Sequence, residues 1–199
     1  MASRYHHRDL PRALREAAIR QVQEGSIASV SIAAAARAVG VSSGAPYQHY
    51  RDRDDLLADV ARDTMDEMTA RFVQISAALD TPRERLAALV VEFVAYSIQQ
   101  PSRFRVLHAF TPMVIADERR VASANANAEP FVDAARQAFG DELEPVVTSS
   151  MFAIAIGFSE LGVTEGIAER FGVDRSTFAR QASVVAHAAL EAYGVHRPG

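Results

Sequence analysis

Apolar side chains recur every three or four residues along almost the whole chain, the period of an amphipathic α-helix. Two-residue alternation, which would indicate strands, is nearly absent. The first stretch places one apolar face on Leu10, Leu14, Ala18 and Val22 and ends at Gly25. The pattern therefore predicts an all-α protein.

A tight turn between two short helices is predicted in the stretch Ser31–Tyr50, SIAAAARAVGVSSGAPYQHY. Its first serine can cap an alanine-rich helix, and Gly40 can end that helix in a sharp turn. Ser42 or Ser43 can cap a short third helix, in which Pro46 is tolerable because it falls within the first turn. This spacing predicts a helix-turn-helix, whose second helix enters the major groove of DNA.

The rest of the chain predicts longer helices. Start and stop signals divide it into spans of about 52–79, 82–100, 102–110, 117–139, 142–170 and 174–193. Pro112 is expected to end the third of these helices, and Pro130 to kink or split the fourth. We expect about nine helices, with a three-helix head continuous with a helical body through the helix that begins near Asp52.

Charge is unevenly distributed between the two predicted parts. Residues 1–51 contain seven arginines and three acids, a net charge of +4, whereas residues 52–199 contain 14 arginines and 22 acids, a net charge of −8. A basic head on an acidic body is the distribution expected when one end meets phosphate. We therefore predict a DNA-binding head over residues 1–51 and a ligand-binding and dimerisation body over residues 52–199.

Several classes of protein are disfavoured by composition. The chain has no cysteine, which excludes disulfides and thiolate metal sites, and we expect neither a metal ion nor a cofactor. No signal-peptide core is recognisable near the beginning, and no apolar run was expected to reach the length that spans a bilayer. These features predict a cytoplasmic protein that does not associate with a membrane.

The head resembles that of the TetR family of transcriptional regulators. The family pattern is close to I-A-x-x-A-G-V-S-x-G-x-x-Y-x-H-F, followed by a lysine and a leucine-rich helix start. The corresponding segment here is AARAVGVSSGAPYQHY, followed by RDRDDLL. Ala35 stands where the family usually has isoleucine, Val39 where it has alanine, and Arg53 where it has lysine. The first two departures exchange bulk within the head, and the third keeps the charge.

The resemblance implies roles for individual residues of the head. Tyr47 and His49 match positions that contact DNA in the family, Arg53 matches its phosphate-binding lysine, and Ser31 matches its capping threonine. Gln48 can reach a base edge, and the ring of Pro46 can contact a thymine methyl group. The predicted DNA-contacting set is Ser31, Ser42, Ser43, Ala45, Pro46, Tyr47, Gln48, His49 and Arg53. Tyr50 is expected to anchor the core instead.

The last two predicted helices are apolar enough to suggest an interface. The first is apolar on nearly every side, and the second has a stripe of small residues that permits close approach. They resemble the helix pair through which the family forms homodimers as a four-helix bundle. The predicted dimer residues are Val147, Met151, Ile154, Phe158, Leu161, Phe178, Ala182, Val185 and Ala189. The alternative is that these helices only pack inside a monomer.

A pocket for a small apolar or amphipathic effector is also implied by the resemblance. Aromatic residues and methionine with a few polar groups suit such a cavity. The predicted lining is Phe93, Tyr96, Phe104, Leu107, His108, Phe110, Met113, Phe152 and Phe158. For each of these residues, a place in the ordinary core is the alternative.

These features predict a homodimeric repressor that binds a palindromic operator in double-stranded DNA and is released by a ligand; activation is also possible. A second interpretation is a DNA-binding protein controlled by a protein partner. An enzyme is a third: no catalytic motif is present, and the acid/base set considered in the body is Glu160, Glu165 and His187, which helical spacing does not bring together. No catalytic residue is therefore predicted.

Overall fold

The computed structural model describes residues 10–195, and within that range it contains nine α-helices and no strand. The helices are α1 Leu10–Glu24, α2 Ile32–Ala38, α3 Arg53–Ala77, α4 Pro82–Gln99, α5 Pro101–Ala116, α6 Val121–Phe139, α7 Glu144–Val163, α8 Ile167–Phe171 and α9 Thr177–Val195. The all-α prediction is confirmed.

The chain packs as two compact units. The first comprises residues 10–64 with 102–121, and the second comprises residues 65–101 with 122–195. α3 contributes its first half to one unit and its second half to the other. The functional boundary after residue 51 stays a prediction, because packing places the start of α3 and most of α5 with the helix-turn-helix.

The first unit has an apolar core, and salt bridges from two arginines connect its helices. All four apolar residues predicted for one face of α1 are buried, as are Leu56 and Leu57 of α3. Arg15 of α1 pairs with Asp59 and Asp63 of α3, 3.1 and 3.0 Å away. Arg103 of α5 pairs with the same Asp63 and with Glu16 of α1. The bridges join α1, α3 and α5.

The second unit is built on α4, which packs against both α7 and α9, while α7 and α9 also pack against each other. Gly162 allows α7 to approach α4 closely, since a Cβ atom there would lie 2.8 Å from Ile98 Cγ1. Phe131 stacks within an aromatic cluster, with ring centroids 5.4 Å from Phe72 and 4.6 Å from Phe152. The cluster fills the core of this unit.

Two expectations about helix ends were wrong, and the helix expected to kink or split at Pro130 is not split. α5 continues through Pro112 to Ala116, and α6 runs unbroken through Pro130. A proline removes one helical hydrogen bond, but a helix can continue when water or another group satisfies the freed carbonyl. The predicted helix 142–170 instead ends at Val163, because Thr164 adopts an extended conformation, and Gly166, with φ of 77°, then turns the chain into α8.

By length and composition alone, α7 could cross a membrane, contrary to the expectation that no apolar run was long enough. Its packing gives the ordinary explanation for this composition. α7 contacts α4 on one side and α9 on another. A helix that contacts protein on more than one side is expected to be apolar over most of its circumference.

Candidate DNA-binding surface and ligand cavity

The first two helices of the head are joined by a side-chain amide. Gln21 of α1 accepts a hydrogen bond from the backbone N–H of Ser31 at 2.8 Å and donates one to the carbonyl of the same residue at 3.3 Å. The hydroxyl of Ser31 accepts from the N–H of Ala34 at 3.4 Å, so Ser31 caps α2 as predicted. These contacts fix where α2 begins relative to α1.

The turn after α2 depends on glycine. Gly40 has φ of 75°, the left-handed conformation that a side chain disfavours. The N–H of Val41 donates to the carbonyl of Ala36, and that of Gly40 to the carbonyl of Arg37, both at 3.1 Å. These two bonds close the C-terminus of α2 in a Schellman-type arrangement, which directs the chain into the recognition segment.

The recognition segment is a single 3₁₀ turn, Ala45–Gln48. Gly44 occupies its N-cap without a side-chain hydrogen bond, so the predicted cap by Ser42 or Ser43 is wrong; both serines are exposed. Pro46 is buried, and its carbonyl accepts hydrogen bonds from the N–H groups of His49 and Tyr50, which follow the segment. Its ring therefore packs inside the head, which corrects the expectation that it contacts a thymine methyl group.

Three consecutive side chains leave this segment toward the surface. Tyr47 is 56% exposed, and Gln48 and His49 are also exposed. Ala45, at the start of the turn, is half-buried. The structure thus keeps Tyr47, Gln48 and His49 together as a polar and aromatic surface at the end of a four-residue 3₁₀ turn.

Tyr50 is buried, as predicted, and anchors the end of this surface. Its hydroxyl donates to Asp59 Oδ2 of α3 at 2.9 Å. Burial and the neighbouring Asp59 raise the pKa of Tyr50, which therefore stays a hydrogen-bond donor at neutral pH. The contact ties the recognition segment to α3.

Arg53, the first residue of α3, is partly exposed beside the same segment. Its guanidinium pairs with Asp54 Oδ1 at 2.6 Å and lies 3.5 Å from the carbonyl of Ala28. An exposed pair of this kind is weak. It leaves the arginine able to exchange Asp54 for a phosphate.

A cluster of charged residues that the sequence did not reveal holds the start of α3. Asp55 accepts from Arg120 Nη2 at 2.6 Å and from the N–H and guanidinium of Arg51 at 3.0 and 3.1 Å. Arg120 also pairs with Asp117 at 2.7 Å, and Asp117 pairs with Arg119. The run DERR over residues 117–120 is the only sequence signal for this cluster.

Electrostatics favours the charged form of this cluster. Burial by itself would raise the pKa of Asp55, but hydrogen bonds from Arg51 and Arg120 outweigh it and hold that pKa well below the usual range. Beside the cluster, a cavity of about 260 Å³ is lined by His49, Arg62 and Arg119 among others. Arginine side chains therefore lie beside the recognition segment, each paired with an aspartate of the first unit.

Comparison with known proteins agrees with this geometry. Residues 14–60 match the family model described as bacterial regulatory proteins, tetR family. Over these residues the chain is similar to the head of the tetR family. The matched range begins in α1 and ends in α3, so it includes the whole helix-turn-helix. No curated protein matches the sequence.

Solved structures share the TetR fold over most of the chain. A protein of unknown function from Rhodococcus sp. RHA1 has a TM-score of 0.75 at 22% identity and covers 94% of this chain and 98% of its own. A regulatory protein of the tetR family from Rhodococcus RHA1 has a TM-score of 0.70 at 14% identity and covers 91% of this chain and 96% of its own. The ketosteroid transcriptional regulator KstR2 of Mycobacterium tuberculosis has a TM-score of 0.66 at 15% identity and covers 90% of this chain and 93% of its own.

The predicted ligand residues are not brought together around a cavity. Phe93 and Tyr96 are buried in the second unit, where Phe152 is half-buried against Phe93 and Phe131. Phe104, Leu107 and Phe110 are buried in the first unit, His108 and Met113 are exposed there, and Phe158 is half-buried in the second. The alternative of ordinary core packing explains the buried members of this set.

A different cavity lies within the second unit. It has a volume of about 390 Å³ and is lined by parts of α3, α4 and α6, including Val73, Ser76, Arg85, Glu129, Pro130 and Asp133. None of the nine predicted ligand residues lines it. Sequence periodicity could not reveal it, because Pro130 was expected to disrupt the helix that forms its wall.

The predicted dimer residues divide into buried and accessible groups. Val147, Met151, Phe178 and Ala182 are buried within the second unit, so they pack the chain's own helices together and cannot form a surface for a partner. Ile154, Phe158, Leu161 and Ala189 are half-buried, and Val185 is exposed. Two further exposed valines, Val146 of α7 and Val184 of α9, were not in the predicted set.

Proposed function

We propose that this protein is a homodimeric transcriptional repressor that binds a palindromic operator and is released by a small amphipathic ligand. The observation that carries the proposal is the placement of Tyr47, Gln48 and His49 side by side on the surface of a TetR-family head. The short turn supplies rigid side chains for a major groove, and Arg53 supplies a cation for the adjoining phosphate.

Dimerisation is supported by an unpartnered apolar face in the second unit. Val146, Ala153 and Gly157 of α7 lie seven and four residues apart, which places them on one side of the helix, and all three are exposed. Val184 and Ala188, four residues apart, are likewise exposed on α9, which packs beside α7. Two copies that join these faces around a two-fold axis form a four-helix bundle and present two heads to one palindrome.

Control by a small molecule is supported by the cavity in the second unit. Its 390 Å³ lies within the range that holds small ligands, whereas a fully packed body would favour control by a protein partner. A ligand that binds one arrangement of the dimer more tightly shifts operator binding by that difference in affinity. The enzyme alternative gains no support: the ring of His187 hydrogen-bonds to the carbonyl of Ser183 on its own helix. A DNA-binding repressor acts in the cytoplasm.

Removing a phosphate contact should weaken binding to every DNA sequence. We expect Arg53→Ala to reduce the slope of log affinity against log salt by about one, because one fewer counterion is released from DNA. Tyr47→Ala should likewise weaken binding without changing preference. Fluorescence anisotropy with labelled duplexes at several salt concentrations measures both effects. Arg170→Ala removes an exposed arginine of α8 as the matched control; equal losses in this variant would refute the assignment.

Removing a base contact should instead reduce discrimination. We expect Gln48→Ala to lower the preference for the operator over a single-base variant by about 1–3 kcal/mol, since an amide that pairs with a base edge contributes that much. Affinity for unrelated DNA should stay nearly constant, because phosphate contacts dominate it. Competition titrations with operator and mismatched duplexes give the ratio. Gln23→Ala, which alters an exposed glutamine of α1, is the control. Unaltered discrimination in Gln48→Ala would exclude base recognition by Gln48.

A further inference from the structure

The cavity of the second unit contains a buried polar atom without a partner. Ser76 Oγ is shielded from solvent and, among residues 10–195, has no hydrogen-bond partner. Ser76 lies near the end of α3 and lines the cavity. Leaving a buried hydroxyl unpaired destabilises the protein, so a ligand group that hydrogen-bonds to it recovers part of that free energy.

A second acceptor arises from the proline inside α6. Pro130 has no N–H, so the carbonyl of Ala126, four residues earlier, lacks the donor that a helix otherwise supplies. Both residues line the cavity. The cavity wall therefore holds a helical carbonyl without its usual donor four residues on, as well as the unpaired hydroxyl, and both oxygen atoms can accept hydrogen bonds.

The charges at the cavity favour a cationic donor. Glu129 and Asp133 of α6 are carboxylates in its wall, and within residues 10–195 the ion pair of Asp133 is a long, exposed one with Arg136 at 3.7 Å. Arg85 is the cation of the wall, but its guanidinium donates to the carbonyls of Leu79 and Asp80 and to Gln137 Oε1. Three of its five N–H donors are thus directed to the protein, and with two carboxylates against one guanidinium these three side chains carry a net negative charge.

The remaining lining is apolar. Val73, Ala126, Pro130 and Ala134 line the cavity, and Val73 is exposed although it is a large apolar side chain. Apolar walls beside convergent polar groups are typical of sites for small molecules. A ligand with an alkyl or ring portion would cover Val73 and gain the hydrophobic free energy of that burial.

We propose that this cavity binds an amphipathic amine, whose ammonium group meets Glu129, Asp133, Ser76 Oγ and the Ala126 carbonyl while its apolar portion lies on Val73 and Pro130. An ammonium group carries up to three N–H donors and no acceptor, which matches a set of acceptors. The role of this ligand as the effector of the repressor rests on the proposed function. The binding of the ligand to the cavity does not.

Calorimetric titration of the full chain without DNA tests the site with three eight-carbon probes: n-octylammonium, 1-octanol and octanoate. We expect n-octylammonium to bind most tightly and octanoate least. The double variant Glu129→Gln/Asp133→Asn should weaken n-octylammonium binding by about tenfold and leave 1-octanol binding nearly unchanged, because only the ionic contribution is lost. Glu165→Gln/Glu169→Gln, which neutralises two exposed acids near α8, is the matched control.

The proposal is overturned if n-octylammonium binds no more tightly than octanoate to the unaltered protein, a comparison that needs no variant to fold. It is also overturned if the double variant, shown to be folded by its thermal transition, retains full affinity for n-octylammonium. Because no DNA is present, failure of operator binding does not affect either result. Binding of n-octylammonium that leaves operator affinity constant would support the site and contradict its role in releasing the repressor.

Discussion

Replacing Asp55 with alanine is expected to lower the free energy of unfolding by about 3 kcal/mol, because it leaves the buried Arg120 without its closest carboxylate. The side chains of Asp55 and Arg120 are only 4% and 9% exposed, so water cannot replace the lost partner easily. The same substitution removes the acceptor for the N–H of Arg51, at the junction of recognition segment and α3. Urea denaturation at fixed protein concentration measures the change.

Asp54→Ala is the matched control, since Asp54 is half exposed and pairs only with its neighbour Arg53 among the contacts of the described residues. We expect it to change stability by less than about 1 kcal/mol. The pH dependence gives a second test. The folded pKa of Asp55 lies below its unfolded value, so its stabilisation is present above about pH 4 and is lost as the pH falls further. Asp55→Asn should make the free energy of unfolding depend less on pH in this acidic range. Equal losses of unfolding free energy in Asp55→Ala and Asp54→Ala would contradict the account.

Placing a carboxylate on the proposed dimer face is expected to separate the two copies. Val184 is 70% exposed in the single chain, so Val184→Glu should leave each copy folded. In the dimer, two uncompensated carboxylates would be buried, each at a cost of about 3 kcal/mol or more. The dissociation constant should rise more than about a hundredfold, given about 1.4 kcal/mol for each factor of ten. Sedimentation velocity over a range of concentrations measures it.

Ile115→Glu provides the matched control for that experiment. Ile115 is also a large apolar side chain that is mostly exposed, but it lies on α5 in the first unit. It should leave the oligomeric state of the protein unaltered. A Val184→Glu variant that sediments as the unaltered protein does would place the interface elsewhere or exclude it.

Features determined by neighbouring residues were predictable from the sequence. Ser31 caps α2, Gly40 ends it with a positive φ, and Thr81 caps α4 with Pro82 in the first turn, each through contacts within a few residues. The head also carries a recognisable motif, since the recognition segment must combine a tight turn with exposed polar side chains. Local chemistry and motif together therefore sufficed for the fold class and for the head that matches the family model over residues 14–60.

Features that depend on distant residues were not predictable in the same way. Apolar periodicity gives the side of α7 that is buried, but it does not tell whether Met151 packs on the chain's own α4 or on a second copy. Asp55 and Arg120 are 65 positions apart and meet only in the folded head. The cavity depends on a continuous α6, and whether a helix tolerates Pro130 is decided by packing, not by the proline itself.

The central claim is that two heads recognise one palindromic DNA site. Selection of bound duplexes from a random pool by the full-length protein tests it most directly, because it presupposes no target gene. We predict enrichment of an inverted repeat whose half-sites lie about one helical turn apart or somewhat more, with affinity that falls steeply as salt rises. A pool that remains random after repeated selection, or one that enriches a sequence without two-fold symmetry, would contradict the claim.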